Sequence, residues 1–140
     1  MTPEQSQTLL LPPDPSSPQR ARDFVAAALD AWGTVELREQ ARLLTSELVT
    51  NAVMHARTDV TVTVIRDDAQ QAVRVTVADG SEVPPRRRRY GVLATTGRGI
   101  AMVAKAAKNF GIDIRPGGKT VWFELPIPAA DPGPAHAVAP

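Results

Sequence analysis

VTVTVIRDDAQQAVRVTVAD, residues 60–79, decides the fold of this chain. Val60, Val62 and Val64 alternate with Thr61 and Thr63, and Val73, Val75 and Val77 alternate with Arg74 and Thr76. A period of two sends the valines to one side of a pleated ribbon and the polar residues to the other. The DDAQQ segment between the runs is polar and suits a turn. The stretch therefore predicts an antiparallel hairpin with one buried and one solvated face. A second hairpin is legible further on, in Ile112 and Ile114, a turn over 116–118, then Val121, Phe123 and Leu125 before Pro126.

Upstream the period changes. Leu37, Ala41, Leu44, Leu48 and Ala52 recur at spacings of four, three, four and four, one apolar stripe of a helix. Thr34 can cap this helix, Glu36 suits its first turn, and Arg57 suits its carboxyl end. Glu47, Asn51 and His55 form a polar stripe beside the apolar one. Burying such groups unpaired would cost about 1–3 kcal/mol each, so either a ligand or neighbouring backbone must satisfy them. An earlier helix is marked by Ser17 as cap and Pro18 in its first turn, by Val25, Ala28, Leu29 and Trp32 on one face, and by Gly33 at its end. Residues 1–17 are rich in Pro, Ser and Gln and read as an irregular arm, within which 8–11 can pair as a short edge strand.

Downstream, the first hairpin runs into Asp79, Gly80 and Ser81. Residues 82–96 then hold two prolines, the four consecutive arginines Arg86 to Arg89 and no apolar period, which predicts a mobile loop. Gly97, Arg98 and Gly99 open a short apolar helix through Ala101, Met102, Val103, Ala104 and Ala107 that ends near 109–111. Residues 127–140 are mainly Ala and Pro and read as a disordered tail. The order of elements predicts an α+β fold: a two-layer α/β sandwich with a mixed, mostly antiparallel sheet and helices on one face, not a parallel Rossmann sheet. Its body is expected over 18–126.

Composition narrows the function. A chain of 140 residues with 43% hydrophobic and 22% charged residues suits one globular domain, and a formal charge of +1 offers no general attraction to nucleic acid or anionic membrane. The four arginines have only Tyr90 as an aromatic neighbour, which weakens a nucleic-acid reading further. There are no cysteines, and two distant histidines do not make a conventional metal cluster. With no signal-like start and no run of membrane-spanning length, a soluble, cytoplasmic protein is expected.

Four pieces remain to be read together: Glu47 with Asn51 on a helix, Asp79 with Gly80 at a strand end, Gly97, Arg98 and Gly99 at a helix start, and Gly118, Lys119 and Thr120 entering the last strand. Each has an ordinary meaning as a turn or helix end. Each also has a ligand meaning: a strand-end carboxylate can accept from an exocyclic amine, glycines at a helix start expose N–H groups to an anion, and a helical Asn can offer its carbonyl oxygen to Mg²⁺.

ELVTNAVMHA (47–56), VADGS (77–81), TGRGIAMV (96–103) and GGKTVWFEL (117–125), in that order, resemble the N, G1, G2 and closing Gly-x-Thr motifs of the GHKL ATP-binding superfamily, which includes gyrases, histidine kinases and mismatch-repair ATPases. Within it the chain most resembles the bacterial anti-sigma factor serine/threonine-protein kinases, over about residues 8–126. The resemblance implies that Asn51 coordinates Mg²⁺, that Asp79 receives the adenine amino group with Gly80 beside it, and that Thr120 supports the adenine end. It implies that Gly97, Arg98 and Gly99 face the phosphates of ATP with Ile100 starting the helix behind them. Glu47 takes the position of the base that activates the attacking hydroxyl, and His55 a structural one. The implied partners are a sigma factor and an anti-anti-sigma antagonist; homodimerisation is left open.

The chain departs from the pattern in three places. Asp79-Gly80-Ser81-Glu82-Val83 stands where Asp-x-Gly-x-Gly is usual, Ala94, Thr95 and Thr96 stand where kinase members place a basic residue, and Arg86 to Arg89 fill the loop that serves as a lid. Two functions follow: a kinase that phosphorylates the antagonist and sequesters a sigma factor, or a non-catalytic module, with or without nucleotide, that acts by masking its partner.

Overall fold

The computed structural model describes residues 5–83, 107 and 109–128. Strand β1 (Ser6–Leu11) leads to helix α1 (Ser17–Ala31), then through a 3₁₀ turn at Val35–Leu37 to helix α2 (Arg38–Asn51), which leaves through a π turn at Ala52–Ala56. Strands β2 (Val60–Asp67), β3 (Ala72–Asp79), β4 (Asn109–Arg115) and β5 (Gly118–Pro126) follow. They form a five-stranded sheet in the order β1-β2-β3-β5-β4. Every pairing is antiparallel, so among the described strands the expected mixed sheet has no parallel member.

The alternation seen in the sequence is the layering seen in the fold. Val60, Val62, Val64, Val73, Val75, Val77, Val121, Phe123 and Leu125 face the helices and join Val25, Leu29, Leu44, Leu48 and Val49 in one core. Each such side chain contributes roughly 1.5–3 kcal/mol on leaving water. The other face carries polar partners: Thr8 and Thr63 hydroxyls meet at 3.2 Å, Arg74 donates to Glu124 Oε2 at 2.9 Å, and Asn109 Nδ2 donates to Glu124 Oε1 at 3.0 Å. The Arg74 guanidinium also stacks 3.9 Å from the centre of the Trp122 ring. That ring lies against Gly111, where an added Cβ would stand 2.6 Å from it.

Several local expectations change. β1 is longer than 8–11, and its last residue, Leu11, is fully buried, so the arm supplies an edge strand to the sheet. Helix α1 starts at Ser17, whose hydroxyl donates to the Pro12 carbonyl at 2.7 Å instead of capping its own helix. Gly33 does end that helix, with φ of +73°, a conformation costly for residues with a Cβ. Thr34 turns its hydroxyl back to the Leu29 carbonyl at 3.1 Å and caps nothing ahead of it, while Arg66 of β2 donates to the Trp32 carbonyl and ties the end of α1 to the sheet. β4 starts at Asn109, where the sequence suggested a helix end. The helix expected from 97 onward, most of the 82–96 loop and nearly all of the 127–140 tail lie outside the described residues. Ile127 is held by its N–H, which donates to the Gln71 carbonyl at 2.9 Å.

Ahead of α1, Asp14 accepts from both the hydroxyl and the N–H of Ser16, and these two bonds hold its carboxyl below the ordinary 3.8. A depressed value means that the turn adds stability above 3.8 and loses it as the pH falls through the folded value. The stability difference between wild type and Asp14→Asn should accordingly shrink on acidification, measured by urea unfolding at a series of pH values.

Among the described residues, Phe123 is the largest fully buried side chain. Phe123→Ala is expected to cost about 3–5 kcal/mol in urea unfolding, whereas Thr63→Ala on the open face should cost about 1 kcal/mol or less.

Candidate functional site

The site lies where the end of α2 passes over the end of β3 and the start of β5. Asn51 is the last α-helical residue, and beyond it the helix widens: the N–H of Arg57 reaches the Ala52 carbonyl five residues back, at 3.2 Å, with Arg57 left-handed at φ 58°. The wider turn breaks the stripe expected from the sequence. Asn51 is buried, 5% exposed, whereas His55 is exposed at the rim. Glu47 stands one turn before Asn51 and is half-buried.

Leu48, Asn51, Ala52 and His55 from this helix end face Val77 and Asp79 of β3, Ser81 and Val83 beyond it, and Lys119 and Val121 of β5 around a cavity of about 30 Å³. A single water needs roughly 10–15 Å³, so the enclosed part of the space suits a water or two. Both polar atoms of the Asn51 carboxamide are buried there without a hydrogen-bond partner among the described residues. An amide left in that state costs about 1–3 kcal/mol, which is tolerated where a ligand will use it.

Asp79 has the opposite character: it already has partners on both oxygens. Its Oδ1 accepts from the Ser81 N–H at 2.8 Å and from Lys119 Nζ at 3.0 Å, and Lys119 Nζ also lies 3.0 Å from Oδ2. Both side chains are almost wholly buried, with 6% of Lys119 and 2% of Asp79 exposed. The pair is a product of register: Asp79 faces Lys119 directly across the β3–β5 ladder. Gly118 permits the approach, because an added Cβ there would stand 2.3 Å from the Asp79 carbonyl oxygen. Gly80 is fixed by its N–H, which donates to Thr58 Oγ1 at 2.8 Å, and Glu82 Oε2 accepts from the Gly117 N–H at 2.8 Å, linking the segment after β3 to the β4–β5 turn.

The structure thus brings Asn51 and Asp79 to one cavity and leaves Thr120 out of it. Thr120 lies in phase with Trp122 and Glu124 on the open face, its hydroxyl accepting from Arg115 at 3.2 Å. One residue along a strand reverses the face, so the inward position belongs to Lys119. The sequence reading named this lysine beside Gly118 and Thr120 but gave it no role, although it stands in phase with Val121, Phe123 and Leu125. Gly97, Arg98, Gly99 and Ile100, expected at the phosphates, and Arg86 to Arg89 lie outside the described residues. Among the described residues no cluster of three or more His, Asp or Glu side chains is placed to hold a metal ion, and no helix is long and apolar enough to cross a membrane.

Helices on one face of an antiparallel sheet, with a buried carboxamide on a helix and a carboxylate at a central strand end lining one cavity, make an α+β domain of the GHKL type. The chain belongs to the histidine kinase-like ATPase domain family, whose profile matches residues 11–125. Its fold is similar to that in the crystal structure of the RsbU and RsbW domains of Rv1364c from Mycobacterium tuberculosis, with a TM-score of 0.62 and 21% sequence identity. The match covers 90% of this chain and 33% of that one. A search of curated proteins gives no match.

Removing one member of a buried ion pair leaves the other charge stranded. Asp79→Ala should cost about 3–5 kcal/mol, and adding Lys119→Met should restore most of that loss. Urea unfolding of the four proteins of this cycle measures the coupling; a double variant no more stable than Asp79→Ala would show that the two charges are not buried together.

Proposed function

We propose that this chain is an ATP-binding regulatory domain that acts as an anti-sigma factor with serine/threonine-protein kinase activity on an anti-anti-sigma antagonist in the cytoplasm. The observation that carries the reading is Asn51, a buried carboxamide with both polar atoms unpartnered among the described residues, in the same cavity as Asp79. A carbonyl oxygen in that state suits Mg²⁺, a hard cation that takes few protein ligands when phosphates supply the rest. Bound Mg²⁺ would neutralise charge on the phosphates. Asp79 would meet the base, Gly80 would lie beside it, and Gly97, Arg98, Gly99 and Ile100 would serve the phosphates. Thr120 has no part in this proposal, because it faces the other side of the sheet. Glu47, one turn from Asn51, would take the proton of the antagonist hydroxyl as its oxygen attacks the terminal phosphorus and ADP departs.

A second reading, a module that masks its partner without phosphotransfer, is favoured by one observation: Lys119 already engages Asp79. ATP·Mg is expected to bind in the micromolar to millimolar range, about −4 to −8 kcal/mol by calorimetry, with Asn51→Ala weakening the Mg²⁺-dependent part. Absence of binding at millimolar ATP would overturn the nucleotide reading. Glu47→Gln should lower transfer of labelled γ-phosphate to the antagonist by roughly 10²-fold or more with little change in ATP affinity. A wild type that binds ATP and partner yet transfers no label would leave the masking module.

A further inference from the structure

We propose that Lys119 is a built-in occupant of the base subsite: its ammonium holds Asp79 where the amino group of adenine would bind, and a nucleotide enters only by displacing it. This deepens the nucleotide reading above and rests on it. An ammonium and an exocyclic amine are both N–H donors seeking the same acceptors. A carboxylate offers about four lone-pair positions, and here Ser81 N–H and the two contacts of Lys119 Nζ use three of them. What remains is one position on Oδ2, beside a cation 3.0 Å away. Asp79, Asn51 and Lys119 line one cavity, so the ammonium lies in the space that a base reaching Asp79 would enter.

The lysine also has somewhere to go. A second, more open cleft of about 200 Å³ borders it on the hairpin side, between Asp79, Arg115, Gly117 and Thr120. A flexible four-carbon stem lets the ammonium swing away from Asp79 at the strand end. A purely structural ion pair would stabilise the fold and leave ligand affinity untouched. An occupant of the subsite must instead compete with the ligand, and the competition acts on the base, not on the phosphates.

The test uses the full chain, with adenosine as a phosphate-free probe beside ATP·Mg and GTP·Mg. Lys119→Met should bind adenosine and ATP more tightly than wild type by a similar factor, about tenfold or more, whereas Lys119→Arg, which keeps the cation, should bind no more tightly than wild type. In wild type, saturating adenosine should speed acetylation of Lys119, followed by mass spectrometry, by about tenfold or more as its amine leaves the buried pair. This arm needs no substitution and decides the matter even if Lys119→Met does not fold.

Equal, measurable affinity in wild type and Lys119→Met, or Lys119 acetylation unchanged or slowed by bound adenosine, would overturn the proposal and leave the nucleotide reading intact. Weaker ATP binding by Lys119→Met with adenosine unaffected would make the lysine a phosphate ligand, and a preference for GTP lost in Lys119→Met would make it a reader of a base carbonyl; either overturns the proposal. No binding by either protein at millimolar concentration would overturn both readings together.

Discussion

Strand β3 is paired on both edges and covered on one face by the helices, so every side chain on that face must be apolar or must bring a partner with it. Val73, Val75 and Val77 meet the first condition. Asp79, next in phase, meets the second through Lys119. An isolated carboxylate there would be expensive, and a buried lysine opposite it equally so, because desolvation of each charge is offset only by the other and by further hydrogen bonds. The close backbone approach at Gly118, the Asx-type bond from Ser81 N–H and the direct β3–β5 register all serve that one junction.

Helix α2 contributes the other half of the site by ending where it does. Its apolar stripe seats Leu44 and Leu48 in the core, which brings Asn51 over the strand ends, and the π turn then carries the chain outward before His55 would be buried. The result is asymmetric. One side of the cavity holds a carboxamide awaiting a partner, the other a carboxylate that already has one. A ligand that supplies a cation to Asn51 and a donor to Asp79 would complete the first and contest the second.

The outer face of the sheet shows how little of this chain's polarity is devoted to the site. Arg74, Trp122, Glu124 and Asn109 form a connected cluster across β3, β5 and β4, with Gly111 making room for the indole. The cluster fixes the order of the last three strands on the solvated side while the valines fix it on the buried side. Cross-strand pairs of this kind contribute only roughly 0.2–1 kcal/mol each, so their effect is on register more than on total stability.

The sequence by itself determined what depends on neighbours a few residues apart. The period of two in 60–79 and in 121–125 specified three strands and their buried phase, the spacing from Leu37 to Ala52 specified a helix, and Gly33 marked a helix end, because each is a repeat of one local geometry. Asn51 and Asp79 were legible as candidates because a polar group in an apolar phase is conspicuous. Tertiary structure decided the rest. That β5 lies between β3 and β4, that Lys119 meets Asp79 across a separation of 40 residues, and that Thr120 falls on the far face follow from strand order and register. Those are settled by which surfaces bury each other across the sheet, and no local repeat encodes them.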